Sequence, residues 1–343
     1  MIAKTLKFRS SFPIWKTISY FFGRWFLSLT VWREVKKMIY IIAFILFLGS
    51  FIFGMYLLRS GLFNLSSDTV RKWLITLTDT PLKGILIGIL VTVIFQNSAV
   101  VIMVTVGLIA AGLLTFRQSL GIILGTNIGS SITVEIITID LGAYVLPMAL
   151  IGSILCYVKN NNVIRFGYTL IGLSLVFGAM WGLEMIAAQI KDLDGVLGLL
   201  VYLDDHRFYA LLIGAIFTVL IQSNTAVTGM TMSFLSVGAM DLATCITFIL
   251  GGYIGICVIA LVATIGSGKE ARHAVFAYMW LNILGVLMFY PFTHLLASIG
   301  SALSNSPETQ LAHSNLIFTL FVTLLILPLA NQFQKLIQYI HRY

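Results

Sequence analysis

Charged residues are scarce in this chain. Asp, Glu, Lys and Arg make up 10% of its 343 residues, whereas soluble globular domains carry about 25%. Hydrophobic residues make up 59%, and the mean hydropathy is +0.99. So little charge excludes an ordinary soluble domain. The chain is predicted to be an all-α protein that crosses the cell membrane several times.

Cysteines and catalytic patterns are scarce as well. Cys156, Cys245 and Cys257 lie in apolar segments, and no pair of them has metal-ligand spacing, which excludes a disulfide framework. The five histidines are scattered, and the sequence holds neither an HExxH motif nor a Walker loop. We therefore expect neither an enzyme nor a bound cofactor.

Basic residues outnumber acidic ones by 21 to 13, which gives a net charge of +8. They sit at the ends of apolar segments, as Arg33 and Lys37 do before one segment and Lys159 does between two others. This pattern is typical of loops that face lipid headgroups. We expect these charges to meet a lipid bilayer and not a nucleic acid.

Several apolar segments are long enough to cross the hydrocarbon core, which takes about 20 residues. The predicted spans are residues 38–58, 117–139, 142–158, 163–187, 241–265, 272–296 and 312–332. Residues 1–33 are interrupted by Lys16 and Arg24 and are rich in aromatic residues. That composition favours a helix lying in the membrane interface over an additional span at 12–32.

Two further apolar segments, residues 82–113 and 207–239, carry a polar cluster at their centre. The clusters read FQNSAV at 95–100 and IQSNTAV at 221–227. We call residues 96–98 the first tip and residues 222–225 the second tip. The apolar halves of the first segment are about 14 residues or 21 Å long, short of the roughly 30 Å core. Each segment is therefore predicted to be a re-entrant helical hairpin.

The two polar clusters belong to an internal repeat with a register of 126 residues. That register pairs Gln96 with Gln222 and also pairs several glycines and threonines, without a gap from residue 87 to 129. Charged stretches at 62–80 and 189–206 are predicted to be amphipathic pieces that do not cross. The chain divides into an N-terminal segment (1–37), repeat 1 (38–160), repeat 2 (161–296) and a C-terminal span with its tail (297–343).

Three crossings in each repeat predict that the second repeat is inverted. If the hairpins do not cross, an odd number of spans places the second repeat in the opposite orientation. The two hairpins then approach from opposite faces, and their tips meet near the midplane. This is the arrangement of secondary transporters built from inverted repeats.

The tips are predicted to hold an anion. Each tip opens a helix, whose first amides lack partners within the helix and carry a partial positive charge. Hydroxyl and amide side chains at the tips add further donors. The predicted substrate-binding residues are Gln96, Asn97, Ser98, Gln222, Ser223, Asn224 and Thr225.

A segment with two glycines follows each hairpin. The first glycine segment is GTNIGSS at 125–131, and the second is GGYIGIC at 251–257. Two glycines four residues apart permit either unwinding, which would free carbonyls for a small hard cation, or close helix packing. The predicted cation-binding residues are Thr126, Asn127, Ser130, Ser131 and Glu135. The second segment lacks such side chains, so cation dependence is predicted to run mainly through the first.

Glu135 leaves three interpretations open. An ionisable group inside a span could compensate a bound cation or take up a proton. It could equally lie near the interface, since Asp140 follows five residues later.

Residues 84–133 and 210–240 resemble the type II sodium–phosphate cotransporter family. That family carries two Gln-Ser-Ser-Ser tips, and a Gly-Thr-Asn-Ile-Gly-Thr-Thr-like segment follows each. Here the tips read Gln-Asn-Ser-Ala and Gln-Ser-Asn-Thr. The resemblance implies that the tips bind phosphate and sodium, with Thr126 and Asn127 helping to hold the ion.

The resemblance leads us to expect sodium-coupled phosphate symport by alternating access. Two alternatives remain: a carrier of another small oxyanion or one coupled to protons, and a membrane sensor that keeps the fold without transporting. A homodimer is also compatible with the sequence.

Overall fold

The computed structural model describes residues 13–262 and 268–341, with side chains described for 34–62, 69–193, 195–262 and 268–341. Throughout this part of the chain the structure is helical and contains no strand. The helices are α1 (Pro13–Thr76), α2 (Pro81–Phe95), α3 (Ser98–Ala110), α4 (Phe116–Ile137), α5 (Val145–Leu155), α6 (Asn161–Ile190), α7 (Asp194–Asp205), α8 (Arg207–Ile221), α9 (Asn224–Ser236), α10 (Leu242–Val262), α11 (Lys269–Phe289), α12 (Thr293–Leu303), α13 (Pro307–Ile326) and α14 (Ala330–Ile340).

Six stretches of the described chain are long and apolar enough to cross a membrane, which confirms a polytopic all-α protein. They are Glu34–Leu62, Phe116–Ile137, Asn161–Ile190, Leu242–Val262, Lys269–Leu303 and Pro307–Ile340. Six of the predicted spans overlap these stretches. Helices α2, α3 and α8 are apolar but shorter, as expected for hairpin halves.

The predicted span over residues 142–158 is wrong in length. A 3₁₀ turn at Gly142–Tyr144 leads into α5, which ends at Leu155. The apolar stretch Gly142–Leu155 reaches about 21 Å, less than the roughly 30 Å core. Asn160 caps α6 just beyond it, its Oδ1 accepting from Asn162 N at 3.0 Å, so the chain turns early. The described part of repeat 1 therefore has two helices that are long enough to cross the membrane, where the sequence predicted three.

Helix α1 runs without interruption from Pro13 to Thr76. The separate amphipathic piece predicted at 62–80 is therefore wrong, because its first part continues this helix. In repeat 2 the corresponding piece is a separate helix, α7. Residues 1–12 and the side chains of 13–33 lie outside the described part of the chain, so the interfacial position of 1–33 stays a prediction.

The backbone repeats itself in the register of 126 residues. Within the described chain, Gln96 (φ 53°) and Gln222 (φ 57°) are the two non-glycine residues with positive φ. Gly112 (φ 70°) and Gly238 (φ 65°) form a second equivalent pair at the other ends of the hairpins. Left-handed conformations are unfavourable for side chains with a Cβ. Their recurrence at matched positions indicates that both hairpins have the same local structure.

Both hairpins turn back on themselves beside the helix that follows them. Helix α2 lies parallel to α4, and α8 lies parallel to α10, with backbone against backbone at glycines. The facing pairs are Pro81 with Gly121, Ile85 with Gly125 and Ile89 with Gly129, and then Leu211 with Gly251 and Ala215 with Gly255. Since α3 and α9 return through tight turns, each runs antiparallel to its partner in the hairpin.

The glycine segments are continuous helix and not unwound breaks. Helix α4 includes residues 125–131, and α10 includes 251–257. A methyl group on Gly125 would overlap Ile85 O, and one on Gly251 would overlap Leu211 O. Of the two interpretations of these glycines, the structure has close helix packing.

Two contacts outside the hairpins position the site. Helix α1 packs antiparallel to α6, with Gly54 against Gly172 and Gly61 against Thr169. This contact brings the end of the first span to the tips. Helix α13, which belongs to neither repeat, packs against α4, α9 and α10 and adds a wall to the region between the tips.

Candidate functional site

Each tip is a left-handed residue followed by a helix cap. Gln96 ends α2, and Asn97 Oδ1 accepts from the backbone N–H two residues on at 2.9 Å, which caps α3. Gln222 ends α8, and Ser223 Oγ accepts from the backbone N–H three residues on at 3.3 Å, which caps α9. The caps orient the positive ends of both helices.

Arg59 joins the two tips. Its Nε donates to Gln96 O at 3.1 Å, and one of its terminal nitrogens donates to Ser223 Oγ at 3.2 Å. The guanidinium carries five donors and stays charged, and its planar fork suits oxyanions. One fixed positive charge therefore lies between the two helix N-termini.

A small polar cavity lies beside Arg59. It is lined by Arg59, Asn97, Ser98, Ser130, Val134, Ser223, Asn224, Thr225, Tyr253, Ile256 and Asn315. Its volume is about 10 Å³, which is the room that one water molecule needs. A tetrahedral oxyanion needs more space, so its binding requires the walls to separate.

The cavity brings together residues from both tips. Five predicted substrate-binding residues line it: Asn97, Ser98, Ser223, Asn224 and Thr225. The side chains of Gln96 and Gln222 do not. Gln96 Nε2 instead donates to Val93 O at 2.7 Å, and Gln222 is exposed.

The predicted cation-binding residues are spread around the cavity. Ser130 lines it. Thr126 donates to Ile123 O at 2.7 Å, and Asn127 Nδ2 donates to Asn282 Oδ1 of α11 at 2.7 Å.

Ser131 belongs to a buried polar cluster, together with Tyr253, Asn315 and Thr319. The hydroxyl oxygens of Ser131 and Thr319 are 2.9 Å apart, and Tyr253 donates to Asn315 Oδ1 at 3.0 Å. We call these four residues the Tyr253 cluster. It connects α4, α10 and α13, and two of its members line the cavity.

Glu135 does not line the cavity and pairs with a histidine. His313 Nδ1 is 2.8 Å from Glu135 Oε1, and both side chains are partly exposed. This contact supplies a local partner for the carboxylate, from a helix outside the repeats. The pair is a candidate for proton transfer, which is one of the three interpretations of Glu135.

Unpaired oxygens flank the tips. In the described chain, six buried side-chain polar atoms lack a hydrogen-bond partner, and four of them are Thr92 Oγ1, Asn127 Oδ1, Thr218 Oγ1 and Asn224 Oδ1. Thr92 and Thr218 are equivalent in the register of 126. A cation can satisfy several such oxygens together, since hard cations take about six oxygen ligands.

Sequence reasoning missed Arg59, Tyr253 and Asn315. The predicted first span ended at residue 58, although an arginine followed at the very next position in apolar surroundings. A charged residue inside a span is a functional candidate, so this signal was available. Asn315 gave no such signal, because α13 has no counterpart in the repeat.

The sequence profile of the family described as “Na+/Pi-cotransporter” matches the chain twice, over residues 50–185 and 179–305. The two matches agree with the internal repeat. No solved structure matches the chain significantly.

Curated relatives agree with this family. “Uncharacterized protein YqeW” of Bacillus subtilis is 33% identical over 301 residues, which are 88% of this chain and 98% of the relative. “Putative inorganic phosphate export protein YjbB” of Escherichia coli is 22% identical over 282 residues, and this chain spans only 52% of its length. Human “Sodium-dependent phosphate transport protein 2B” is 41% identical over 64 residues, which are 19% of this chain and 9% of the relative.

The family profile covers most of the chain. The match to the Bacillus subtilis relative covers 88% of the chain. With its several apolar helices, this is a multi-pass protein of the cell membrane and a member of the Na+/Pi-cotransporter family.

Proposed function

We propose that this chain moves inorganic phosphate across the cell membrane, coupled to sodium. The observation that carries the proposal is Arg59, which bonds to both tips inside the helix bundle. A partly buried cation between two helix N-termini is suited to a small oxyanion. Family membership and the names of the relatives favour phosphate as that oxyanion and transport over catalysis.

Phosphate takes over the contacts that Arg59 makes with the tips. The guanidinium presents a pair of parallel donors to two phosphate oxygens. Ser223 Oγ already accepts two hydrogen bonds, from Arg59 and from a backbone amide. Its own proton is therefore available to the anion. The tips move apart to admit phosphate, because the cavity of about 10 Å³ is too small for it.

Sodium binds at the unpaired oxygens beside the tips. Asn127 Oδ1 and Thr92 Oγ1 are available in repeat 1, where the sequence predicted the cation. Thr218 Oγ1 and Asn224 Oδ1 are available in repeat 2, to which the sequence assigned the smaller part of the cation dependence. Cations near the tips also balance the charge of the anion in a low-dielectric interior.

Inversion of the two repeats supplies the alternating access. The antiparallel packing of α1 and α6, which are the first helices of the two repeats, supports this inversion. The hairpins then open the tip cavity to the two sides in turn. This support does not depend on α5, which is too short to count as a crossing.

The test is phosphate flux in liposomes that contain the purified full chain. We expect a sodium gradient to drive labelled phosphate in the direction of the gradient, and replacement of sodium by potassium to abolish that flux. Both uptake and efflux are measured, since one relative is named as an exporter. Flux no greater than in empty liposomes, under gradients of either sign, would refute phosphate transport.

The same liposomes separate the alternatives. Flux that follows an imposed pH gradient and ignores sodium would assign the coupling to protons, and the pair of Glu135 and His313 would then be its candidate carrier. In that case Glu135→Gln removes the pH dependence. Saturable phosphate binding without any flux would indicate a sensor.

A further inference from the structure

Two members of the Tyr253 cluster, Tyr253 and Asn315, lie at the wall of the cavity between the tips. Tyr253 is 2% exposed and Asn315 is 5% exposed, and both line the cavity. The ring of Tyr253 packs edge-on against Phe318, with centroids 5.2 Å apart. Packing and burial therefore hold the hydroxyl in one place.

Hydrogen bonding determines which way the hydroxyl proton points. Asn315 Nδ2 donates to Ser131 Oγ at 3.1 Å, so its Oδ1 is the atom that faces Tyr253 at 3.0 Å. An amide oxygen only accepts hydrogen bonds. Tyr253 must therefore donate its proton to Asn315. The hydroxyl of Ser131 lies 3.3 Å from the phenolic oxygen and donates to one of its lone pairs, which leaves the oxygen able to accept one further hydrogen bond.

An acceptor in an anion site has consequences for the choice of anion. Arg59 brings only donors to the cavity. Near neutral pH inorganic phosphate carries at least one proton, which a lone pair can accept as a hydrogen bond. Sulfate carries none, so the same lone pair would face a bare anionic oxygen. A ligand binds more weakly when it leaves a buried hydrogen-bond acceptor without a donor.

We propose that Tyr253 makes the site select oxyanions that carry a proton, such as phosphate and arsenate, over fully deprotonated ones, such as sulfate. Asn315 is the positioning residue, because it holds the phenolic proton away from the anion. This inference rests on the proposed function. It assigns the choice of substrate to a residue of the second glycine segment and to a helix outside the repeats.

The internal repeat has a tyrosine at this position in its second half and not in its first. The position equivalent to Tyr253 in repeat 1 is Asn127, whose side chain bonds to α11 and not to α13. Among the described residues that line the cavity, Tyr253 is the one that carries a phenol. An oxyanion with a single proton can meet this wall and still present its other oxygens to Arg59.

The first test uses the wild-type chain and needs no variant. Unlabelled competitors are titrated against labelled phosphate bound to the purified protein at neutral pH. Fluorophosphate matches the shape and charge of hydrogen phosphate but has no acidic proton. We expect arsenate to compete about as well as phosphate, and fluorophosphate and sulfate at least tenfold less well. Fluorophosphate that competes as well as phosphate would overturn the inference.

The second test changes the acceptor. Tyr253→Phe keeps the ring on Phe318, and Asn315→Ala leaves the phenol free to donate. We expect each to reduce the preference for phosphate over sulfate by about tenfold. Thr319→Val is the matched control, since it removes a hydroxyl of the same cluster that does not line the cavity, and its preference should stay at the wild-type value.

The outcomes keep this inference distinct from the proposed function. A wild-type chain that binds no phosphate refutes the proposed function. A wild-type chain that binds phosphate, with the wild-type preference retained in Tyr253→Phe, refutes only the inference. If that variant does not fold, the fluorophosphate titration still decides.

Discussion

At the scale of single residues, a partly buried arginine and a few hydroxyl and amide groups define the site. Arg59 is the residue that brings the tips together, and it makes contact with one backbone carbonyl and one side chain. The remaining groups differ between the repeats. Where repeat 1 has Ser98 and Thr126, the equivalent positions of repeat 2 hold Asn224 and Gly252.

The two repeats distribute side-chain volume differently over these two positions. Repeat 2 has the larger side chain at the first position and the smaller one at the second, and this difference yields a prediction. A methyl group on Gly252 would overlap Asn224 Oδ1 and would come within 3.0 Å of Thr218 Oγ1. We expect Gly252→Thr to reduce phosphate flux at least tenfold, because Asn224 must leave its place. The double variant Asn224→Ser with Gly252→Thr reproduces repeat 1, and it should recover most of the flux.

Flux measured in liposomes for the single and double variants, at equal amounts of folded protein, checks this exchange. A double variant no better than Gly252→Thr alone would mean that positions 224 and 252 do not depend on each other. Asn224→Ser alone is the control for the loss of the amide.

The tip glutamines give a second prediction at this scale. Gln96 and Gln222 have a left-handed backbone conformation. This conformation costs a residue with a Cβ about 1 kcal/mol relative to glycine. We expect Gln96→Gly and Gln222→Gly to fold at least as stably as the wild type and yet to lose phosphate flux, because the glutamine amides, which do not line the closed cavity, would contact the anion once the tips separate to admit it. Melting temperature in detergent and flux are measured on the same preparations. Wild-type flux in either variant would show that the glutamine there serves the turn alone.

At the scale of elements, much of the architecture could be predicted from the sequence. The polar interruption of an apolar segment identified both hairpins, and the register of 126 identified the equivalence of their tips. Helix length was harder to predict, because hydropathy alone did not show that Asn160 caps α6 and shortens α5. The glycine pairs permitted either unwinding or close packing, and only the facing helices decide between them.

Each hairpin packs one of its helices closely against the parallel helix that follows it. This packing predicts which glycines cannot be replaced by alanine without loss of stability. A methyl group on Gly214 would overlap the carbonyl of Phe248, whereas one on Gly107 meets nothing within 4 Å. We expect Gly214→Ala to destabilise the protein by about 1–3 kcal/mol through overpacking. Gly107→Ala should be neutral or stabilising by up to about 1 kcal/mol.

Unfolding in detergent, followed by thermal scanning, compares the two glycine variants directly. Equal melting temperatures would contradict the packing of α8 against α10. Both variants lie in hairpin helices, so a general effect of alanine on hairpin insertion would appear in both.

At the scale of the whole molecule, the arrangement across the membrane depends on the inversion of the repeats. The sequence argument used an odd number of crossings, and the short α5 weakens that count. The antiparallel contact of α1 and α6 supports the same conclusion independently. Helix α13 could be predicted as a span, but its part in the site could not, since its contacts to the tips are formed only in the folded chain. A homodimer stays a prediction.

Inversion predicts that equivalent positions at the two hairpin bases face opposite sides of the membrane. Lys83 and Tyr209 are 126 residues apart, and both are exposed. With Cys156 replaced by serine, a cysteine at either position should react with an impermeant maleimide from one side only, and the two sides should differ. The buried Cys245 and Cys257 serve as the internal control. Labelling of both positions from the same side of intact vesicles would contradict an inverted repeat.

The most direct test of the central claim is phosphate binding to the wild type and to Arg59→Gln. The variant keeps a polar side chain but removes the charge that joins the tips, and the exposed Arg117→Gln is the matched control. Equilibrium binding of labelled phosphate to purified protein is measured with all three, after each is shown to be folded. We expect saturable binding in the wild type and in Arg117→Gln, and at least a tenfold weaker Kd in Arg59→Gln, since a hydrogen-bonded charge contributes about 1.5–3 kcal/mol. An unchanged Kd in Arg59→Gln would contradict an anion site between the tips.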